Sequence, residues 1–215
     1  MHFEILVEDK SGEEALNILL PKMINIEQHS FKIHSYKGIG QIPKNLKMPD
    51  AKTTALLNKL PRLIQGYANA FKNFPAVLFI ICDLDSKDLS KFKSQLEDLL
   101  NKCSQKPITK FCIAIEEGEA WLLGDIPAIK HAYPQVKENI LNEYKNDSIC
   151  GTWEKLADAV YEGGSKKLSE KGFQEIGRIK SEWARNICPH MDVDKNLSPS
   201  FNYFKNKLYE FISVK

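Results

Sequence analysis

The stretch Ala76–Asp88, AVLFIICDLDSKD, constrains this chain more than any other. Six apolar residues, Val77 to Cys82, run directly into Asp83-Leu84-Asp85. A continuous apolar run rich in Val, Ile and Phe reads as a strand buried on both faces of a parallel sheet. In open α/β sheets, ligands bind just beyond the carboxyl ends of the strands. Two acids one residue apart at that edge can converge on a hard cation, and carboxylate oxygens suit Mg²⁺ or Mn²⁺. A plainer reading is also open: Asp83, Asp85 or Ser86 caps the next helix.

The rest of the first half supplies the partners such a strand needs. Phe3–Val7 is a short apolar strand ending at Glu8. Ser11 and Glu14 have the spacing of a capping box and open a helix that Pro21 ends or bends. Ser30–Ser35 alternates as a second strand, and Tyr36–Pro49 is a loop broken by Gly38, Gly40, Pro43 and Pro49. The Gly38-Ile39-Gly40 spacing fits neither a phosphate loop nor a dinucleotide fingerprint. Thr53–Phe71 is helical, with a kink or break at Pro61. Leu89–Leu100 follows the helical period behind Ser86 or Asp88 as cap, and Thr109–Ile115 is a fourth strand ending in Glu116 and Glu117, with Glu119 close behind.

Strand alternates with helix to about Asp125, which predicts an α/β fold with a parallel four-stranded sheet flanked by helices. Three of its four strands place acids at one carboxyl edge: Glu8, Asp83 with Asp85, and Glu116 with Glu119. Carboxylates gathered in this way repel one another unless a cation or a proton intervenes. Beyond Ile126 the strand signal fades, and Trp153–Tyr161, Phe173–Ile187 and Phe201–Ile212 read as helices. The expected organisation is a core over residues 1–125 and a C-terminal helical extension over 126–215, packed on that core.

Composition excludes little. The net charge of +2 names no partner, but Phe31–Lys72 carries eight basic residues (Lys32, Lys37, Lys44, Lys47, Lys52, Lys59, Arg62, Lys72) against Asp50 alone. That excess suits either phosphates or a solvated face. Arg178 and Arg185, seven apart on one helix, pose the same choice. The five cysteines include no C-x-x-C pair, the first residues are too short for a secretory leader, and no apolar run reaches membrane-spanning length. A reducing, cytoplasmic setting with no membrane is expected. Cys188-Pro189-His190 offers two soft ligands, too few for a zinc site, and reads as structural. The three tryptophans read as core residues.

A strand ending in Glu (ILVE, Glu8) and a later strand ending in Asp-x-Asp (IICDLD, Asp83 and Asp85) together resemble the Toprim domain of topoisomerases, primases and overcoming-lysogenization-defect nucleases. Three stretches are similar to a bacterial Toprim-like family of unknown function: VEDKSGEEAL, EEGEAWLLGD and EIGRIKSEWARNICPHMD. The resemblance implies a Rossmann-like Toprim core whose acids bind Mg²⁺ and act on phosphodiesters. It also implies a possible AAA-type ATPase partner, with the Toprim protein as nuclease effector in anti-phage defence. By position, Glu8 matches the Toprim glutamate, Asp83 and Asp85 the Asp-x-Asp pair, and Glu119 the glutamate of the Glu-Ala-Trp-Leu motif. Gly12 stands where nuclease relatives often carry a further acid.

The leading expectation is a Mg²⁺- or Mn²⁺-dependent nuclease. Asp83 and Asp85 hold the metal, Glu8 holds it or acts as general base, and Glu119 completes or orients the shell. Lys10, Lys37 and Lys166 are candidates for gripping the phosphates of a nucleic acid. One alternative is a non-catalytic Toprim-like module that regulates or binds a partner. Another is a haloacid-dehalogenase-type phosphatase with Asp83 as nucleophile, although Lys87 stands where those enzymes usually carry Thr or Val.

Overall fold

A computed structural model describes residues 1–43 and 54–212. In chain order its first half is β1 (His2–Val7), α1 (Lys10–Met23), β2 (Ser30–Ser35), α2 (Leu56–Ala70), β3 (Ala76–Asp83), α3 (Leu89–Lys102) and β4 (Thr109–Ala114). The second half is helical: α4 (Glu119–Leu123), α5 (Ile126–Ala132), α6 (Glu138–Asn142), α7 (Thr152–Val160), α8 (Gly164–Ser169), α9 (Phe173–Ile187) and α10 (Pro199–Tyr209). The expected α/β class, the four strands and a C-terminal helix are all present. The chain divides into two compact units, Met1–Asp9 with Asn25–Ile113, and Lys10–Ile24 with Ala114–Lys215.

The first unit holds a parallel sheet of order β2-β1-β3-β4. β1 pairs with β2 and with β3 in parallel, so that Val7 lies opposite Ser35 on one side and Ile81 on the other. The order reverses direction between β1 and β3, because the chain passes from β1 to β2 on one side and then crosses back over β1 to β3 on the other. In a parallel α/β sheet this is the point at which a crevice opens beyond the strand ends. β3 is buried over seven of its eight residues, and only Asp83 begins to emerge. Helices α2 and α3 accompany the sheet, burying Leu56, Leu57, Leu60 and Ile64 from one, and Phe92, Leu96 and Leu99 from the other.

Two expectations about the helices are corrected, a break at Pro61 and a cap at Ser11. Pro61 lies inside an unbroken α2, where it is itself buried among Leu57, Leu60 and Ile64, and that burial offsets the hydrogen bond its ring removes. Ser11 lies within α1, the helix that it was expected to cap, while Pro21 stands in the last turn of that helix, two residues before its end at Met23. Asp88, by contrast, caps α3 as expected, its carboxylate accepting the Lys91 amide at 2.8 Å.

β1 carries one acid among its apolar residues, and the fold satisfies it fully. Glu4 is 6% exposed and accepts from His2 Nε2 at 2.8 Å, His34 Nε2 at 2.5 Å and the Tyr67 hydroxyl at 3.0 Å. These partners hold the Glu4 carboxyl below its ordinary range despite burial, and burial with the Glu4 charge pushes the Tyr67 phenol far up.

In the second unit α1 packs along α9. Lys22 Nζ donates to the carbonyls of Cys188, Pro189 and Met191 at 2.7–2.9 Å, tying the two together at the end of α9. Trp121 stacks on Phe204 and meets Phe201 edge-on, while its indole N–H donates to Ser200 Oγ at 3.0 Å. Trp183 is equally buried, so these two are core residues as expected. The short helices α5, α6 and α8 give no sustained period in the sequence and go beyond the three helices read there.

Candidate functional site

The carboxyl edge of β1 and β3 is built by backbone before any side chain takes part. Beyond β2, the Tyr36 amide donates to the Val7 carbonyl at 3.1 Å and the Gly38 amide to the Glu8 carbonyl at 3.2 Å. The loop then turns into α2, with the Leu57 amide on the Ile39 carbonyl at 2.8 Å. Gly40 has φ +73°, and a Cβ there would stand 2.1 Å from Asn58 Oδ1 and 2.6 Å from the Ala55 Cβ. The Gly38-Ile39-Gly40 segment is thus a wall of the crevice, held by close approach to α2.

Glu8 follows β1 into this crevice. Its Oε2 accepts the Asp83 amide at 3.4 Å, so the carboxylate lies across the end of the neighbouring strand. Burial and the nearby charges of Asp85 and Asp9 push the Glu8 carboxyl up to about 7, against partial relief from the Asp83 and Ile39 backbone. Asp85 sits just past the strand end with φ +50°, a left-handed conformation that an L-residue adopts at a cost. It is ion-paired with the Lys87 ammonium, which also donates to the Leu84 carbonyl at 3.3 Å. Lys87 lies 5.3 Å from the centre of the Phe92 ring. Glu8, some 75 residues earlier in the chain, thus lies on the backbone of Asp83 and near enough to Asp85 to feel its charge, at the switch point of the sheet.

The chemistry of this donor set, carboxylate oxygens only, fits a hard divalent cation such as Mg²⁺ or Mn²⁺. Among the described residues no three His, Cys, Asp or Glu side chains stand ready to share one ion, and the Lys87 ammonium lies on Asp85. A cation on Asp85 Oδ2 would compete with that ammonium.

The other expected site residues have different surroundings. Glu119 belongs to the second unit, where it is 3% exposed and pairs with Lys180 Nζ at 2.9 Å. Lys180 also reaches Glu117 at 3.3 Å. Glu116 is committed to structure: its carboxylate accepts the amides of Cys150, Gly151 and Thr152 at 2.8–3.2 Å, capping the start of α7. Glu116 thus serves as a cap within the second unit, and its backbone is left-handed at φ +63°. Lys10 pairs with Glu13 at 3.0 Å, and Lys37 and Lys166 are exposed. Lys44, Lys47, Asp50 and Lys52 of the basic segment lie outside the described residues. Arg178 is held by Glu175 and Glu182 at 2.9 Å each, and Arg185 faces Glu14 at 3.5 Å, so α9 presents paired charges rather than a basic stripe.

One feature of the site went unread in the sequence. Lys87 entered only as a residue out of place for a phosphatase, and its ion pair with Asp85 had no periodic signal. The Cys188-Pro189-His190 trio divides: Cys188 is buried, its thiol pushed up to about 12 by desolvation, while the exposed His190 ring meets His131 with centroids 4.0 Å apart.

No helix among the described residues is long and apolar enough to cross a membrane. Comparison with curated proteins and with solved structures returned no match. A family model does match over residues 7–209, from the end of β1 to the last turn of α10 and so across both units. The chain belongs to the family described as Domain of unknown function (DUF4276).

Proposed function

We propose that this protein is a divalent-cation-dependent phosphodiester-processing enzyme of Toprim type, a nuclease acting from the carboxyl edge of β1 and β3. The observation that supports the reading is the Glu8 carboxylate on the backbone amide of Asp83, at the switch point where the Asp83-x-Asp85 pair leaves β3. Asp83 and Asp85 would hold Mg²⁺ or Mn²⁺. A bound cation of this kind polarises a phosphoryl oxygen and lowers the pKa of its water. Glu8 takes the proton of the attacking water or joins the cation's ligands, and a carboxyl that titrates near neutrality is matched to the first role. The Toprim resemblance adds a nucleic-acid substrate, an AAA-type ATPase partner and a part in anti-phage defence.

The test is cleavage of single- and double-stranded DNA and RNA by the purified chain, with Mg²⁺, with Mn²⁺ and with EDTA. Metal-dependent cleavage that disappears in Asp83→Ala, with the circular dichroism spectrum unchanged, is the expected result. Cleavage retained in that variant overturns the assignment. The Lys87–Asp85 ion pair favours a second reading, a regulatory module whose carboxylates are neutralised internally. Absence of Mg²⁺ and Mn²⁺ binding by calorimetry would select it.

A further inference from the structure

The parallel register of β1 and β2 sets His2 beside Ser30 at the amino edge of the sheet, the end opposite Glu8 and Asp83. Side chains alternate between faces along a strand, so Glu4 shares a face with His2. A chain of hydrogen bonds results: Ser30 Oγ lies 2.8 Å from His2 Nδ1, and His2 Nε2 lies 2.8 Å from Glu4 Oε2. The groups are graded from solvent inward, with Ser30 exposed, the His2 side chain 22% exposed and Glu4 6% exposed. Burial opposes ionisation of Glu4, yet its bonds from His2, Tyr67 and His34 hold the carboxyl below its ordinary range. An ionised carboxylate only accepts, so His2 Nε2 donates to it. In the neutral imidazole the other nitrogen, Nδ1, then carries the lone pair, and it faces the serine hydroxyl.

This connection activates a serine: the base takes the hydroxyl proton, and the buried acid fixes the tautomer of the base and offsets the charge it gains. The two ring nitrogens are exchanged relative to serine proteases, but each can serve as donor or acceptor. An oxyanion needs donors as well. The Ser30 and Tyr36 amides turn toward β1, onto the Met1 and Val7 carbonyls. By alternation the Phe31 amide turns to the outer edge of β2, where no strand pairs with it among the described residues. It follows the nucleophile directly, a place from which α/β-hydrolases also draw an oxyanion donor. Phe71 and Phe74 meet the His2 ring edge-on, with centroids 6.4 and 6.1 Å away, and Phe74 is 46% exposed, which leaves an apolar shelf for an acyl group. We infer that Ser30 is a nucleophile, with His2 as its base and Glu4 as a positioning residue, in a second site that cleaves small carboxylic esters with an apolar acyl group. Ser30 Oγ bonds to the ester carbonyl carbon as its proton passes to His2 Nδ1. The bond from that carbon to the alcohol oxygen breaks, and the alcohol leaves with the proton. Water then attacks the acyl-serine, returns a proton through His2 to Oγ, and releases the acid. No metal takes part, and the inference stands apart from the proposed nuclease.

The experiment uses the full chain in EDTA, with p-nitrophenyl butyrate as substrate and a biotinylated fluorophosphonate as covalent probe. Ester hydrolysis and a single phosphonyl label on Ser30, located by peptide mass spectrometry, are expected. Ser30→Ala, at an exposed position, should abolish the label and lower kcat/KM at least about 100-fold. His2→Asn should slow labelling and hydrolysis to the same extent, and His2→Gln repeats the measurement if the asparagine variant does not fold. Glu4→Gln should slow labelling at least about tenfold. Nitrogen NMR of the His2 ring should then show loss of the Nε2–H tautomer that wild type and Ser30→Ala share, a change that a merely structural role would not produce. A wild-type chain that takes no label, a label on another residue, or hydrolysis undiminished in Ser30→Ala overturns the site. Labelling at the wild-type rate in both His2 variants overturns the base, and an unchanged tautomer in Glu4→Gln overturns the role of Glu4. The carboxyl-edge reading stands in each of these cases, because its test is metal-dependent cleavage of nucleic acid.

Discussion

Replacing Glu8 by Gln tests the electrostatics of the crevice without reference to any activity. Glu8 titrates near 7 in the folded chain and near 4.5 when unfolded, because burial and the charges of Asp85 and Asp9 oppose its ionisation. The folded state therefore binds this proton more tightly than the unfolded state does. The stabilisation is fully present below about pH 4.5, declines as pH rises, and is lost above about 7. A displacement from 4.5 to about 7 corresponds to about 3 kcal/mol. Glutamine is neutral throughout and its amide oxygen can still accept the Asp83 amide. Glu8→Gln should thus match wild type at pH 4.5 and exceed it by about 3 kcal/mol at pH 8. Urea unfolding in EDTA across that range, with m-values compared to confirm a common unfolding transition, reads the difference directly. If the crevice holds Mg²⁺, adding it at pH 8 should close the gap by stabilising wild type more than the variant. A gap that does not change with pH, or a variant less stable than wild type at pH 8, refutes the reasoning.

Three further outcomes follow from the packing. Lys180→Met leaves Glu119 buried without its cation and should cost about 3–5 kcal/mol, whereas Lys180→Met combined with Glu119→Gln should recover much of that in the same unfolding assay. Glu116→Ala strips the acceptor from three successive amides at the start of α7 and should lower stability by about 2 kcal/mol, with hydrogen exchange rising first at Gly151 and Thr152. Cys150 is the exposed thiol, and Cys82, Cys103, Cys112 and Cys188 are buried, so a thiol reagent at pH 8 should label one cysteine in the native protein and five after unfolding.

Local pattern sufficed where local physics decides. β2 and α9 fall within the bounds their hydrophobic periods mark, and the other strands differ by a residue or so at their ends. The Asp88 cap was legible because capping is a contact three residues long. Of the kink or break read at Pro61, the break is absent because the rule for proline concerns one hydrogen bond, and burial of the same residue outweighs it. Glu116 and Glu119 look alike in sequence, both acids just beyond a strand. Yet one caps a helix whose start lies 36 residues later, and the other pairs with a lysine more than 60 residues on.

By itself, the sequence determined the strands, most of the longer helices and the presence of acids at strand ends, since periodicity and residue type are properties of neighbouring positions. Only the tertiary structure decided that β1 lies beside β3, which brings Glu8 to Asp83, and that α1 is grouped with the C-terminal helices. It also decided that Lys87 neutralises Asp85. Strand order and charge pairing depend on distances between residues remote along the chain, and those distances exist only once the core has closed.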